Sequence, residues 1–189
     1  GNSGTYVPGQ AMQILVQIMD SSKSAFGFQL TARMGSDDKT QSGDLASTDS
    51  NTQILCADGS AKKSGQSCPS LFPIQYIEHS LTGYEASTQA SPKGSYTYAF
   101  NWTPPASGSG TVTLYAAANC GPGDPPVPTP TNVYTTQIKL TEASGPAISG
   151  VFDAESARPS VAAWQWVAIY GSGLANTTRF WGDSDFTRG

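Results

Sequence analysis

Three cysteines, one histidine and a scatter of aspartates are the residues of this chain with the most chemistry to offer. Cys56 and Cys68 bracket a polar stretch rich in Gly, Ser and Lys. A disulfide between them would close a short ring worth about 3 kcal/mol on the chain-entropy account, and it makes sense only in an oxidising compartment. Cys120 is then left over, either a partly buried thiol or one half of a bridge between chains. The single histidine, His79, cannot build a multi-histidine zinc site, and the cysteine spacings supply no zinc cluster. His79 beside Glu78 would be the base for a hydrolytic serine, but there is no Gly-x-Ser-x-Gly elbow to present one. The plainer reading has its ring capping a strand end and bonding a loop carbonyl. Asp37, Asp38, Asp44 and Asp49 crowd one polar loop; such hard oxygens hold Ca²⁺, yet their spacing fits no EF-hand. A solvated acidic loop is expected there, and no catalytic residue, metal or cofactor is assigned. Gly171-Ser172-Gly173 lacks the third glycine of a dinucleotide loop and reads as a turn.

Rings offer a second chemistry. Tyr76, Tyr84, Trp164, Trp166 and Trp181 are candidates for stacking against sugars, because a CH-rich sugar face offers apolar area to a π surface. Asn101-Trp102-Thr103 and Asn176-Thr177-Thr178 are glycosylation sequons, which makes Asn101 and Asn176 candidate acceptors.

The chain that must position these groups has 189 residues, enough for one complete core with a remainder or for two small domains. Only 13% of it is charged against 38% hydrophobic, while 43 residues are Ser or Thr, so solubility comes from hydroxyls and amides. That balance suits a secreted β protein. A net charge of -4 opposes the counterion release on which nucleic-acid binding depends. No apolar run approaches the ~18–20 residues that cross a bilayer. Gly1-Asn2-Ser3-Gly4 has neither a basic nor a hydrophobic leader region, so the sequence reads as starting after any export signal.

Period-two alternation dominates. Met12, Ile14, Val16 and Ile18 share one side of a strand that follows the Pro8-Gly9 turn signal; Phe26, Phe28, Leu30 and Ala32 share one side of the next. Gly35 to about Ser70 is long and polar, with room only for a short strand at Thr52–Leu55. Leu71–His79 alternates weakly, and Pro73 argues for an edge position or a bulge. Three better strands follow: Tyr96, Tyr98, Phe100 and Trp102 line one, Val112, Leu114 and Ala116 the second, Tyr134, Thr136, Ile138 and Leu140 the third. No helical period is found. Five prolines between Asn119 and Asn132 mark a stiff crossover loop. The sum is an all-β, antiparallel, immunoglobulin-like two-layer sandwich.

The domain plan is 1–142 for the sandwich, 143–147 for a linker and 148–189 for a short Ig-like segment. Ile148–Phe152 and Trp164–Tyr170 are its expected strands, the second with Trp164, Trp166, Ala168 and Tyr170 on one side and Val167 and Ile169 on the other. A strand apolar on both faces expects cover on both, and 44 residues after Gly145 are fewer than an Ig-like sandwich requires. The segment is therefore expected to continue beyond the chain or to finish its fold against the first domain or another subunit.

Tyr6-Val7-Pro8-Gly9, FGFQLTAR at 26–33, ASTDSNTQ at 46–53, IQYIEHS at 74–80, FNWTPP at 100–105 and VYTTQIKL at 133–140 together resemble the Reeler (reelin-type) domain in its bacterial form, over roughly residues 4–142. From Pro146, PAISGVFDAES and VAIYGSGLANTT are similar to the opening of an IPT/TIG domain, although Ala162-Ala163-Trp164-Gln165 stands where that family has a Pro/Gly turn. The resemblance implies an exported protein with an extracellular Ig-like sandwich and no general catalytic role. The Cys-x-x-Cys-His haem motif often found upstream in bacterial Reeler-type chains is absent, so no redox role carries over. The expected function is a non-enzymatic cell-surface or secreted module for adhesion or self-assembly, with Trp164, Trp166, Val167, Ile169 and Tyr170 donated by strand addition into a filament. The alternative is a carbohydrate-binding module of a secreted multidomain protein. Protein is the expected partner, glycan the alternative, nucleic acid neither.

Overall fold

The computed structural model of the protein describes residues 2–63, 66–123, 131–143, 145, 147–159 and 162–174. Two compact units divide the chain, Gly1–Ala143 and Ser144–Gly189. The first contains β1 (Asn2–Tyr6), β2 (Met12–Met19), β3 (Ala25–Met34), β4 (Asp37–Gln41), β5 (Asp44–Ser47), β6 (Thr52–Cys56), β7 (Gln75–His79), α1 (Leu81–Gln89), β8 (Ser95–Thr103), β9 (Val112–Gly121) and β10 (Asn132–Glu142). The second contains β11 (Ala147–Asp153) and β12 (Val167–Ser172).

Alternation builds the first unit as an all-β sandwich. One sheet runs β1-β10-β9-β3-β7-β6, with β4 attached to β3; the other runs β2-β8-β5. Their inward side chains form one core: Ile18 of β2, Phe26, Phe28, Leu30 and Ala32 of β3, Tyr98, Phe100 and Trp102 of β8, Val112 and Leu114 of β9 and Leu140 of β10 are all buried. Phe28 lies 4.7 Å from the Tyr98 ring and stacks on Phe100 at 5.9 Å, while Tyr6 meets Trp102 edge-on at 5.7 Å. Tyr98 donates to the buried carbonyl oxygens of Phe26 (2.6 Å) and Gly83 (3.1 Å), and burial pushes its phenol pKa up.

Several expectations are corrected. The sandwich is not wholly antiparallel, because β1, which the alternation does not announce, pairs parallel with β10. β7 is no edge: it lies between β3 and β6, and Pro73 precedes its first residue, so the missing N–H costs the ladder nothing. The polar stretch after Gly35 holds two further strands, β4 and β5, whose only fully buried side chain is Leu45. The chain also has a helix. Ser80 caps α1 by accepting the N–H of Gly83 at 3.0 Å, and the helix buries Gly83 and Ser87, one turn apart, so no apolar period betrays it. Glycine is required at 83, since a Cβ there would stand 2.1 Å from the carbonyl oxygen of Asn51.

Two contacts complete the large sheet where β3 lacks a neighbouring strand. The Phe26 N–H donates to Ser87 Oγ (3.0 Å) and the Phe28 N–H to His79 Nδ1 (3.1 Å). His79 thus substitutes for a strand, over a Gly27 whose missing Cβ makes room for its ring. It bonds strand backbone rather than the loop carbonyl that the sequence suggested.

Asp20 holds the β2–β3 turn to the start of β10. It accepts from Asn132 Nδ2 (2.7 Å), Ser22 Oγ (2.7 Å), the Ser22 N–H (3.0 Å) and Tyr134 Oη (3.0 Å). These bonds, that of Asn132 first, keep its carboxyl well below the ordinary carboxylate range. A depressed folded pKa gives stability that is complete above the unfolded value, roughly pH 4, and is lost as pH falls through the folded one. Urea midpoints of wild type and Asp20→Asn should therefore differ at neutral pH and converge in acid; a gap that is constant with pH would show that the carboxylate has no such role.

Candidate functional site

The two sheets are tied together by polar bonds on one side, around a small hollow of about 140 Å³ lined by Asp44, Leu45, Ile54 and Lys62, and stand apart over a larger apolar groove on the other. On the β5 side, the Leu45 N–H donates to Gln75 Oε1 (2.8 Å), Gln75 Nε2 donates to Asp44 (2.8 Å), and Lys62 Nζ pairs with Asp44 at 2.5 Å. On the opposite side β2 ends its sheet, bonded among the described residues to β8 alone. Its inward residues Met12, Ile14 and Val16 are only half-buried. Across from them stand Leu30, Leu114, Ala116, Thr136, Ile138 and Leu140, leaving a groove of about 400 Å³. A second hollow of about 200 Å³ shares Val16, Gln17, Ala116 and Thr136 with the first and carries the groove on toward Ile18 and Tyr134. Among the described residues no charged side chain lines either part. The far wall also has a bare edge: β1 pairs with β10 from Ile138 to Glu142, and among the described residues Asn132–Gln137 have no strand on that side. Unpaired edges beside an apolar groove are the physical conditions for accepting another strand. On the outer face of β2, Leu15 and Met19 are apolar and exposed.

In the second unit β11 and β12 form an antiparallel hairpin that pairs Val151 with Ile169 and Asp153 with Val167. A register shift between Ile148 and Gly150 brings Ile148 opposite Gly171. By the two-residue period, Ile148, Val151, Val167 and Ile169 share one face, with exposures of 62%, 38%, 45% and 51%. On the other face Phe152 meets Tyr170 edge-on at 5.6 Å. The expected strand from Trp164 is corrected: β12 begins at Val167. Trp164 has φ 71° and a fully exposed ring. Residues 162–165 form a turn that Gln165 Oε1 closes by accepting the Ala162 N–H at 2.8 Å. Among the described residues the exposed part of this face is thus aliphatic, without a tryptophan; Asp153, paired with Val167 on the same face, is buried and accepts from the Glu155 and Ser156 N–H groups.

The other candidates are dispersed. Cys56 and Cys68 are bonded, with Cα atoms 5.6 Å apart. Cys120 is free and fully buried, its thiol pKa raised by burial, which closes it to a second chain in the folded state. Asp37 accepts from the Lys39 N–H and Thr40 Oγ1, Asp49 from the Asn51 N–H and Nδ2, and Asp44 is held by Lys62 and Gln75. Asp38 offers Arg33 only its carbonyl. The four carboxylates are not brought together, and among the described residues no group of three acidic, His or Cys ligands could hold a metal ion. Tyr76 is engaged as well, its hydroxyl accepting from Arg33 Nη2 (2.8 Å) and its ring lying under that guanidinium at 5.3 Å. Tyr84 is half-buried on α1, and Asn101 is half-buried on β8 with its neighbour Trp102 turned inward. Trp181, Asn176 and the proline-rich stretch 124–130 lie outside the described residues.

No protein-family model matches the chain, and no curated protein matches it. Among solved structures it is similar to the human F-spondin reeler domain, at 18% identity over 74% of this chain and 84% of that one, with a TM-score of 0.43. It is also similar to the C-terminal domain of the Streptococcus agalactiae AgI/II polypeptide BspA (13% identity, 84% of this chain, 50% of that one, TM-score 0.39). The collagen binding subdomain of the Enterococcus faecalis surface protein ACE is a third (8% identity, 73% and 92%, TM-score 0.33). The class of the protein, an all-β two-sheet sandwich, rests on the strand pairing itself.

Proposed function

We propose that this chain is a non-catalytic module of an exported or cell-surface protein that joins protein partners, chiefly copies of itself, with hairpin β11–β12 as the donated element. The Reeler-type reading of 1–142, the linker at 143–147 and the IPT/TIG-type reading of 148–189 belong to the same proposal. One observation supports it above the rest: four aliphatic side chains share an exposed face of a two-stranded sheet. A lone hairpin is marginal in water. Covering Val167 and Ile169 would contribute about 1.5–3 kcal/mol for each side chain fully buried, and a partner strand would also satisfy the free edge. Donation from one copy to the next is head-to-tail, and where successive copies do not close into a ring the product is a filament.

Sedimentation velocity tests the reading. Wild type should show species larger than the monomer that grow with concentration, and Ile169→Lys, exposed and so neutral to folding, should sediment as a monomer. Wild type remaining monomeric at about 100 µM, where even weak association registers, would reject self-assembly.

A further inference from the structure

We infer that the groove between β2 and β9–β10 is the acceptor for this assembly, and that its occupant is β12 of a second copy, paired edge to edge with β2 while Val167 and Ile169 enter the groove. The inference rests on the reading of β11–β12 as donor and adds the surface that receives it.

Three properties of the groove select the occupant. Among the described residues its lining is mostly aliphatic, with glutamines, threonines and Tyr134 as its polar members, and carries no charge, which leaves no counter-charge for an ionic ligand. It is flanked by the edge of β2 and by the edge of Asn132–Gln137, both without a partner strand among the described residues. An aliphatic small molecule would fill the groove yet leave those N–H and C=O groups to water, whereas an extended strand fills it and pairs them as well. Lengths also agree. The six residues of β12 span about 20 Å and the eight of β2 about 27 Å at the usual rise, so the donor fits within the acceptor edge. Val167 and Ile169 repeat at the same two-residue spacing as Met12, Ile14 and Val16, so paired strands present both sets to one side. β12 bonds β11 on one edge, and its other edge is free among the described residues.

The test is complementation between two full-length variants. Thr136→Lys places a charge in the groove at an exposed position and leaves the hairpin intact. Ile169→Lys disables the hairpin and leaves the groove intact. Each alone should associate at least about a hundredfold more weakly than wild type, the order expected when a lysine must be desolvated in an apolar site. Mixed one to one, they should form a dimer and stop there, because the only competent hairpin meets the only competent groove. Val16→Lys, with circular dichroism to verify its fold, serves as a second acceptor block and should behave as Thr136→Lys does. Wild type that polymerises while Thr136→Lys and Val16→Lys polymerise equally well would overturn the groove as acceptor and leave the assembly reading standing. A mixture that yields no dimer would do the same. Wild type that never associates would instead remove the reading on which the inference rests.

Discussion

Trp102→Ala should destabilise the sandwich by about 3–5 kcal/mol, the range for deleting a large buried ring, and lower its melting temperature by about 10–15 °C at this domain size. Trp102 is fully buried in the middle strand of the small sheet, opposite Met12 on one side and Leu45 on the other. Its loss removes the edge contact to Tyr6 and the bond from Nε1 to the Ser42 carbonyl oxygen (3.0 Å). That carbonyl stays behind in a cavity, beside a Ser42 hydroxyl that has no partner among the described residues. Trp102→Phe separates the two contributions, since it keeps most of the apolar volume and forfeits the hydrogen bond, at an expected cost of about 1–3 kcal/mol. Calorimetry of both variants checks this. A loss below about 1 kcal/mol for the alanine variant would mean that the ring does not anchor the two sheets, since large-to-small core changes cost several times that.

Removing the disulfide is expected to come next in size. Cys56→Ala with Cys68→Ala should cost about 3 kcal/mol from the relaxed loop closure in the unfolded chain. The native state contributes too, because the ring carries Lys62 to the closed side of the sandwich. There the Lys62 N–H donates to the Ile54 carbonyl oxygen at 2.8 Å, and Nζ bonds Asp44 and the Leu45 carbonyl oxygen at 2.5 and 3.0 Å. The Lys62 side chain is nearly buried while Asp44 is more than half exposed, so the ion pair itself is worth little and the positioning matters more. Urea unfolding of the alanine pair should shift to a lower midpoint, and the loop between 57 and 74 should become the first site of protease cleavage. Equal midpoints with and without the bridge would show that packing alone holds β5 to β6.

Much of the frame was legible in the residues. Met12, Ile14, Val16 and Ile18, then Phe26, Phe28, Leu30 and Ala32, then Tyr96, Tyr98, Phe100 and Trp102 recur at every second position, and a side-chain period of two puts each set on one side. The Cys56–Cys68 pairing was legible for a similar reason, since a short polar loop cannot bury two thiols by packing. What escaped lacked an apolar signature. α1 packs through Gly83 and Ser87, β4 is polar on both faces, and β1 is a five-residue parallel strand held at its end by Tyr6, which donates to the Gly110 carbonyl oxygen. β1 is fixed by backbone bonds to a partner distant in sequence, which no local pattern encodes, while α1 and β4 bond locally but present no apolar stripe to announce them.

The candidate site divides along the same line. The sequence pointed to the last quarter of the chain as apolar and under-covered, and it identified Val167 and Ile169. It could not place Trp164 in a turn, because that depends on where β12 takes up its register with β11, and the shift between Ile148 and Gly150 is a matter of pairing rather than composition. The groove was further from reach. Every residue that lines it reads as an ordinary inward core residue or its neighbour; that the core stays open between β2 and β10 follows only from which strands end each sheet. Side-chain type thus determined which faces are apolar. Sheet order, set by long-range backbone pairing, decided which of those faces lies uncovered.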